Sequence, residues 1–164
     1  MGENLILKKV KKLYLLRHGE AGFARTSDFN RELTSNGINQ LIELTIAVSK
    51  EVQSIDFLLC STAQRTRQTA QVIEEGISIL EKEYRQEIYS GKLKDMVLMI
   101  EELPEDCNSC LLVGHNPIIS LLLAQLTGAD YKNMAPGTMA ALQLEVLEWR
   151  MIGMDTCSIH WIKN

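Results

Sequence analysis

Two histidines of this sequence each follow a short apolar run, and their neighbours suit phosphoryl chemistry. His18 stands in Arg17-His18-Gly19, directly after the apolar residues 13–16. A ring nitrogen of histidine is a potential nucleophile, and a guanidinium beside it can bind phosphoryl oxygens. His115 stands in a similar position, after the apolar residues 110–113 and a glycine. The pattern therefore suggests a phosphoryl-binding site that contains a nucleophile.

The apolar runs before both histidines predict buried strands of a parallel sheet. Residues 13–16 favour β-structure and are too few for a helix, and Gly19 lets the backbone turn sharply where the strand ends. Open α/β folds bind ligands at the carboxyl edge of the sheet, so we expect Arg17, His18 and His115 at this edge. A histidine at a strand end is by itself often structural, but two at one edge weaken that interpretation.

A helix is predicted directly after His115. Asn116 is a good N-cap residue, Pro117 a good first helical residue and Gly128 a good C-terminal stop. Residues 118–126 between them are apolar almost all round, which favours a buried core helix over a contact with a partner. The free N–H groups and the dipole at the N-terminus of this helix would favour an anion beside His115.

The rest of the chain alternates strands and helices, which is typical of a parallel sheet with right-handed crossovers. The expected elements are a helix at about 34–50 capped by Thr34 or Ser35, a strand at 56–61 and helices at about 63–75 and 93–103. The apolar residues at helical spacing in the first helix are Ile38, Leu41, Ile42 and Ile46. Residues 138–146 predict a half-exposed strand, and residues 157–162 predict its antiparallel partner.

Two arginines on the second of these helices point in different directions. Arg65 and Arg67 are two residues apart, which on a helix is a rotation of about 200°, so they cannot both face the sheet edge. Arg65 lies nearer the end of the preceding strand and shares a face with Gln68 and Thr69. We expect Arg65 to bind an anion and Arg67 to be solvated, although the spacing alone fits a surface ion pair of Arg65 equally well.

Two further charged residues are candidates for the site. Arg31 lies in the polar loop of residues 21–32, where it could reach an anionic substrate or pair with Asp28. Glu87 lies in residues 84–89, which we interpret as a short strand that leads into a loop. Glu87 would then lie near a strand end, as Arg17 does, but a single glutamate in such a place is usually just solvated.

Length and composition restrict the class of protein. The 164 residues indicate one domain, with an ordinary globular composition of 46% hydrophobic and 23% charged residues. A net charge of −4 argues against a nucleic-acid partner bound by bulk electrostatics. The first residues lack the basic start and apolar core of a signal peptide, Ile6 does not fit a myristoylation start, and no segment approaches a membrane span. We therefore expect a cytoplasmic location and no membrane partner.

The four cysteines predict neither a redox motif nor a metal site. Cys60 and Cys110 lie in apolar runs and are interpreted as buried small hydrophobic residues. Cys107-x-x-Cys110 comes before a strand, whereas a redox motif of this spacing opens a helix after one. Zinc would need a second suitably spaced pair, and Cys157 stands alone. A cytosolic chain would keep these thiols reduced.

Three motifs occur in an order that resembles the histidine phosphatase superfamily. They are Leu16-Arg17-His18-Gly19-Glu20-Ala21, Ser61-x-x-x-Arg65-x-x-Gln68-Thr69-Ala70 and Val113-Gly114-His115-Asn116-Pro117. The segment Asp28-x-x-Arg31-x-Leu33-Thr34-x-x-Gly37 and the absence of a long insertion resemble its small SixA-type phosphohistidine phosphatase branch. The resemblance implies a phosphoglycerate mutase-like, three-layer α/β/α sandwich with a mostly parallel central sheet and an antiparallel C-terminal edge. It also implies a single domain, 1–164, without a large cap insertion.

The same resemblance implies roles for the site residues. His18 would attack phosphorus through a neutral ring nitrogen and form a phosphohistidine intermediate, which water then cleaves. Arg17, Arg65 and His115 would surround the phosphoryl oxygens, and the cations would disfavour protonation of His18. No metal or other cofactor is required, and the sequence has no carboxylate cluster to hold a metal.

The substrate implied by the resemblance is phosphohistidine on a signalling or phosphocarrier protein. Family members that act on alcohol phosphates use a carboxylate to protonate the leaving oxygen, and Glu87 matches that place only loosely. Imidazole is a far weaker base than an alkoxide and needs less help to leave. The insertions that enclose small sugar or glycerate phosphates have no room here, which would leave an open site. The alternatives are a phosphatase of small phosphomonoesters and a phosphate-recognising module without turnover.

Overall fold

Six strands form one mixed sheet in the computed structural model, which describes residues 9–164. In chain order they are β1 (Lys12–Arg17), β2 (Ser54–Ser61), β3 (Ser78–Arg85), β4 (Ser109–Gly114), β5 (Met139–Leu144) and β6 (Cys157–Lys163). Their spatial order is β3-β2-β4-β1-β5-β6; the first four are mutually parallel, and β5 is antiparallel to both β1 and β6. The predicted mostly parallel sheet with an antiparallel C-terminal edge is confirmed. The expectations about the start of the chain fall on residues 1–8, outside the described residues.

Helices cover both faces of the sheet and complete three layers. They are α1 (Ser35–Ser49), α2 (Gln64–Glu74), α3 (Gln86–Ser90), α4 (Leu93–Glu101) and α5 (Ile118–Thr127). Successive side chains of a strand point to opposite faces: Leu13 and Leu15 pack in one apolar cluster with α4 and α5, whereas Tyr14 and Leu16 pack in another with α1 and α2. Because both faces of β1 are covered, its residues 13–16 are all apolar instead of alternating between apolar and polar. In the described part of the chain, no helix has the length and apolarity needed to cross a bilayer.

Helix α1 begins as predicted but buries a different set of side chains. Thr34 is its N-cap and accepts a hydrogen bond from the Gly37 N–H at 3.0 Å. Of the four apolar residues that predicted the helix, only Leu41 is buried, and the three isoleucines at 38, 42 and 46 are exposed. The buried row consists of Gly37, Leu41, Leu44, Thr45 and Val48. Helix α1 carries apolar residues along two neighbouring lines on its surface. Packing against the sheet and α2 determines which of the two lines is buried.

Two local predictions are wrong. Strand β3 ends at Arg85, and Gln86–Ser90 form the short helix α3 instead of continuing a strand. At the start of α5 the N-cap position is taken by Pro117. The side chain of Asn116 does not cap this helix, because its Oδ1 accepts a hydrogen bond from Ser120 Oγ at 2.7 Å.

The C-terminal hairpin pairs as predicted but is more buried than expected. Strands β5 and β6 are antiparallel, and His160 on β6 is exposed. Within β5 only Gln143 is exposed, so the half-exposed strand that alternation indicated is not observed. The reason is that both faces of β5 are covered. Ala140, Leu142 and Leu144 pack in the apolar cluster with α4 and α5, and Met139 and Ala141 pack in the cluster with α1 and α2.

The four cysteines are buried and free. Burial raises the pKa of Cys60 to about 12 and the pKa values of Cys107 and Cys157 to about 11. The pKa of Cys110 is raised well above its usual value, again by burial. A thiol that stays protonated is a poor nucleophile and a poor metal ligand, so these side chains act as small apolar residues of the core.

Gly37 allows a close approach between α1 and the loop that follows β1. A β-carbon at position 37 would lie 2.3 Å from the backbone oxygen of Glu20, which also accepts the N–H of Thr34 at 2.9 Å. Backbone atoms held in this way cannot move aside, so we expect Gly37→Ala to lower the free energy of unfolding by about 3 kcal/mol. Urea unfolding measures the loss. Gly153→Ala is the matched control, because a β-carbon there meets no atom within 4 Å. Equal unfolding midpoints for the two variants would show that the helix and the loop are not in contact.

Candidate active site

The carboxyl ends of β1 and β4 bring the two histidines together. These strands are parallel neighbours in which Arg17 is paired with Gly114, so the residues that follow each strand are adjacent. The backbone N–H of His18 donates to the carbonyl oxygen of Gly114 at 3.1 Å. The ring centroids of His18 and His115 are 5.2 Å apart. Both imidazoles therefore lie at the carboxyl edge of the sheet, within reach of one small ligand.

One guanidinium contacts both imidazole rings. Arg65 lies in the first turn of α2 and is 5% exposed. Its Nε donates to His18 Nε2 at 3.3 Å, and its Nη2 donates to His115 Nδ1 at 3.2 Å. Arg67 is exposed and points away from this site, with its guanidinium over the ring of Tyr84 at 4.6 Å. The two arginines thus take opposite sides of the helix, as a rotation of about 200° requires.

Hydrogen bonds determine the tautomers of both rings. Nδ1 of His18 lies 2.7 Å from the carbonyl oxygen of Gly19, which can only accept, so Nδ1 carries the proton and Nε2 keeps its lone pair. In His115 the roles are reversed. Its Nδ1 accepts from Arg65, so its Nε2–H donates to Ser61 Oγ at 2.7 Å. The unprotonated Nε2 of His18 is the form of histidine that can attack phosphorus.

Burial and neighbouring cations keep both imidazoles neutral. The pKa of His18 is lowered to about 4, first by burial and then by the guanidiniums of Arg65 and Arg17, against the opposing effect of the Gly19 carbonyl. The pKa of His115 is lowered to about 3, first by burial and then by His18 and Arg65. A group whose pKa lies this far below 7 carries almost no charge at neutral pH.

NMR of the imidazole nitrogens tests this electrostatic assignment. We expect His18 to remain in its neutral Nδ1–H form until the pH falls to about 4, well below its ordinary value of 6.5. Because protonation consumes the lone pair of Nε2, kcat/KM should fall only as the pH drops through that same range. The chain has three histidines, and the spectrum of His160→Ala separates the two site rings from the third. NMR titration midpoints near 6.5 for both His18 and His115 would contradict the assignment of two buried, neutral imidazoles.

Arg17 supplies a second guanidinium from the end of β1. Its Nη1 donates to the carbonyl oxygen of Met134 at 2.6 Å, which ties it to the loop before β5. Its Nε is buried and has no hydrogen-bond partner within residues 9–164. A buried donor without an acceptor is costly. This N–H is therefore suited to an oxygen of a bound phosphoryl group.

Asp28 binds the outer edge of the Arg65 guanidinium. Its carbonyl oxygen accepts from Nη1 at 2.7 Å, and its Oδ2 accepts from Nη2 at 3.1 Å. Arg31 donates to Oδ1 at 3.1 Å, and the Tyr89 hydroxyl donates to Oδ2 at 3.0 Å. These partners, Arg31 first, lower the pKa of Asp28 to about 2. Of the two roles considered for Arg31, the structure shows the pair with Asp28, and a contact with substrate stays a prediction.

The structure does not bring Glu87 to the histidines. Its side chain on α3 is 53% exposed and pairs with Arg85 at 3.4 Å. Its own backbone N–H and the Arg85 guanidinium lower the pKa of Glu87. A carboxylate of lowered pKa is a poor proton donor, so the role of Glu87 as general acid stays a prediction without a supporting contact. The same helix instead places the ring of Tyr89 edge-on to His115, with centroids 5.5 Å apart.

Polar residues of α2 brace the backbone around the site. Thr69 Oγ1 accepts the N–H of Gly19 at 3.1 Å and donates to the carbonyl oxygen of Arg65 at 2.7 Å. Gln68 Oε1 accepts the N–H of Leu33 at 2.8 Å. The helical spacing predicted Gln68 and Thr69 on the same face as Arg65 but did not predict these hydrogen bonds. The contacts of Ser61 and Tyr89 with His115 were not predicted either, and for Tyr89 the sequence carries no signal.

The arrangement can bind a tetrahedral anion and present a nucleophile to it. Two guanidiniums supply donors, and the unprotonated Nε2 of the neutral His18 imidazole accepts a hydrogen bond from one of them. Phosphoryl transfer depends mainly on such positioning and on charge stabilisation. Within residues 9–164, no three His, Cys, Asp or Glu side chains are grouped as a metal site would need.

Comparisons with known proteins agree with this geometry. The sequence profile of the histidine phosphatase superfamily (branch 1) matches residues 13–109, more than half of the chain. A solved structure from Nakamurella multipartitia, described as a candidate phosphohistidine phosphatase SixA, is 26% identical with a TM-score of 0.83, covering 94% of this chain and 96% of that one. One from Agrobacterium tumefaciens with the same description is 25% identical with a TM-score of 0.78, covering 94% and 97%. An uncharacterised protein of Mycobacterium leprae is 26% identical over 125 residues, which are 73% of this chain and 76% of that protein.

Proposed function

The chain belongs to the histidine phosphatase superfamily, and from this premise we propose that it hydrolyses phosphohistidine on a protein through a covalent phosphate on His18. The observation that carries the proposal is the pair of hydrogen bonds from Arg65 to the two imidazoles, with His18 held in its nucleophilic tautomer. Arg17, Arg65 and His115 complete the proposed catalytic set around His18.

In the first step the Nε–H of Arg65 releases its hydrogen bond to His18 Nε2 and donates to a phosphoryl oxygen instead. The lone pair of Nε2 then attacks phosphorus, and the P–N bond of the substrate breaks. The ring of His18 gains positive charge as its bond to phosphorus forms, and the Gly19 carbonyl that accepts Nδ1–H stabilises that charge. Arg17 and Arg65 bind the phosphoryl oxygens, where the transition state carries its negative charge. Both guanidiniums are held by backbone carbonyls, so little reorganisation is needed during the reaction.

In the second step water attacks the phosphorus of the phosphoenzyme. The bond between phosphorus and Nε2 breaks, Nε2 recovers its lone pair, and the water oxygen stays on phosphorus with both of its protons as dihydrogen phosphate. His18 ends in the neutral Nδ1–H form in which it began. His115 takes part through Arg65, because its Nδ1 accepts from Nη2 while Ser61 holds its other nitrogen.

The leaving group is the basis for the proposed substrate class. Neither Asp28, with a pKa of about 2, nor Glu87, whose pKa is lowered, is suited to protonate a departing alkoxide. A departing imidazole is a much weaker base than an alkoxide, so it needs less help from a proton donor. The two solved structures of similar sequence are described as candidate phosphohistidine phosphatases, which supports the same class. A single domain of residues 1–164 without a cap insertion is part of the proposal, because it would leave the site open to a protein surface.

Phosphate release from two substrates tests the proposal. We expect kcat/KM for a phosphocarrier protein that bears phosphohistidine to exceed that for 4-nitrophenyl phosphate by at least roughly tenfold. The partner is thus expected to be a phosphohistidine-bearing signalling or phosphocarrier protein. Equal or faster turnover of small phosphomonoesters would contradict the substrate class. Tight binding of phosphate without turnover of any substrate would contradict catalysis itself.

A further inference from the structure

The carboxylate of Asp28 lies at the site in a position that the steps above do not use. Its side chain is 54% exposed, whereas the Arg65 side chain that it binds is 6% exposed. The guanidinium of Arg65 faces His18 with Nε and Asp28 with Nη2. The carboxylate is therefore separated from the nucleophile by one guanidinium and is open to the solvent from which a substrate arrives.

Transfer from phosphohistidine to His18 moves a phosphoryl group between two imidazoles. On the enzyme, the ring nitrogen that does not react donates to a carbonyl oxygen at 2.7 Å. The substrate ring also has a nitrogen that is not bonded to phosphorus, here called the distal nitrogen. This nitrogen must hold a proton if the ring is to leave as neutral imidazole. A carboxylate is a strong acceptor for such an N–H, since the bond is charge-assisted.

We propose that Asp28 accepts a hydrogen bond from the distal ring N–H of the substrate phosphohistidine and so selects an imidazole leaving group. This inference rests on the proposed function. His18 Nε2 gives its lone pair to phosphorus, and the electron pair of the breaking P–N bond stays on the leaving nitrogen. The distal nitrogen keeps its proton against Asp28 throughout, so the ring departs as neutral imidazole without a separate acid.

The hydrogen bonds of Asp28 leave room for this contact. A carboxylate offers about four acceptor positions, two on each oxygen. Oδ2 uses two of them, for Arg65 and Tyr89, whereas Oδ1 uses one, for Arg31. One position on Oδ1 therefore remains for the substrate. The same partners keep the pKa of Asp28 at about 2, so at neutral pH the group is an ionised carboxylate that can accept.

A purely positioning role for Asp28 makes a different prediction. If Asp28 serves only to orient Arg65, its loss should impair every phosphate substrate alike, because Arg65 binds the phosphoryl group that all of them share. A contact with the leaving ring should instead impair phosphohistidine selectively. The ratio of kcat/KM between two substrates that differ in leaving group separates these roles.

The experiment compares the wild type with Asp28→Asn on two substrates. One is a peptide that carries N-phosphorylated histidine, and the other is 4-nitrophenyl phosphate, whose leaving group has no N–H. We expect the ratio of kcat/KM for the peptide to that for the aryl phosphate to fall by roughly 10- to 100-fold in the variant, the usual effect of losing a hydrogen bond to a charged group. Asp106→Asn is the matched control, because Asp106 is exposed in the loop before β4, at the opposite edge of the sheet; its ratio should not change.

Each other outcome has a defined meaning. An unchanged ratio in Asp28→Asn, whether both activities fall together or neither falls, would overturn the leaving-group contact and leave the proposed function standing. A wild-type protein that hydrolyses the aryl phosphate but not the peptide would overturn the proposed function itself, and with it this inference. Failure of the proposed function is visible in the wild-type measurement alone, whereas failure of the leaving-group contact is visible only in the comparison with Asp28→Asn. The two failures are therefore distinguishable.

Discussion

Alanine in place of His18 is expected to abolish turnover, with kcat lowered by at least about 10⁴-fold. The substitution removes the ring nitrogen that would form the bond to phosphorus. Its neighbour His115 is a poor substitute, because its second nitrogen donates to the neutral hydroxyl of Ser61 instead of a fixed carbonyl. Steady-state phosphate release measures the effect.

His160→Ala is the matched control for this variant. His160 is exposed on the edge strand β6 and should be dispensable for activity. Thermal unfolding of both variants shows whether the fold is retained. A folded His18→Ala protein that keeps more than about a hundredth of the activity would be inconsistent with covalent catalysis at this residue.

The second large effect is expected at Arg65, where alanine should lower kcat/KM by about 10³-fold. One buried guanidinium binds the phosphoryl group in the proposed mechanism and also contacts both imidazoles. Its removal would take away transition-state stabilisation and the partner that orients His115. A fixed guanidinium at a transferring phosphoryl group has effects of this size in other enzymes.

Arg67→Ala is the control on the same helix. Its guanidinium is exposed and contacts Tyr84 and the Thr62 carbonyl oxygen, so its loss should change kcat/KM by no more than about twofold. Equal losses at positions 65 and 67 would mean that both arginines act on the substrate, which the present packing of α2 does not allow.

The convergence of the two histidines could be predicted because it depends only on strand periodicity and on parallel pairing. An apolar run that ends in a polar residue gives the strand end, and neighbouring parallel strands bring their ends to one edge. Arg65 could be placed for a similar reason, since the rotation per residue of a helix is fixed. These inferences use regular structure, in which spacing determines direction.

The remaining contacts depend on chain paths that spacing does not determine. Asp28 reaches Arg65 because the loop of residues 21–34 folds back over the sheet edge, a path fixed by contacts such as Leu33 with Gln68. In residues 84–89 the chain changes from strand to helix after Arg85, which turns Tyr89 inward and Glu87 outward. The choice of buried row on α1 is likewise made by tertiary packing.

The most direct test of the account is to locate the phosphate on the enzyme during turnover. The protein would be mixed with phosphohistidine substrate labelled at phosphorus and quenched in alkali, where phosphohistidine survives, and the labelled peptide would then be mapped. We expect an acid-labile phosphate on His18, with no label in His18→Ala. Label on His115 or on another residue, or turnover with no labelled enzyme under conditions that preserve phosphohistidine, would contradict the account.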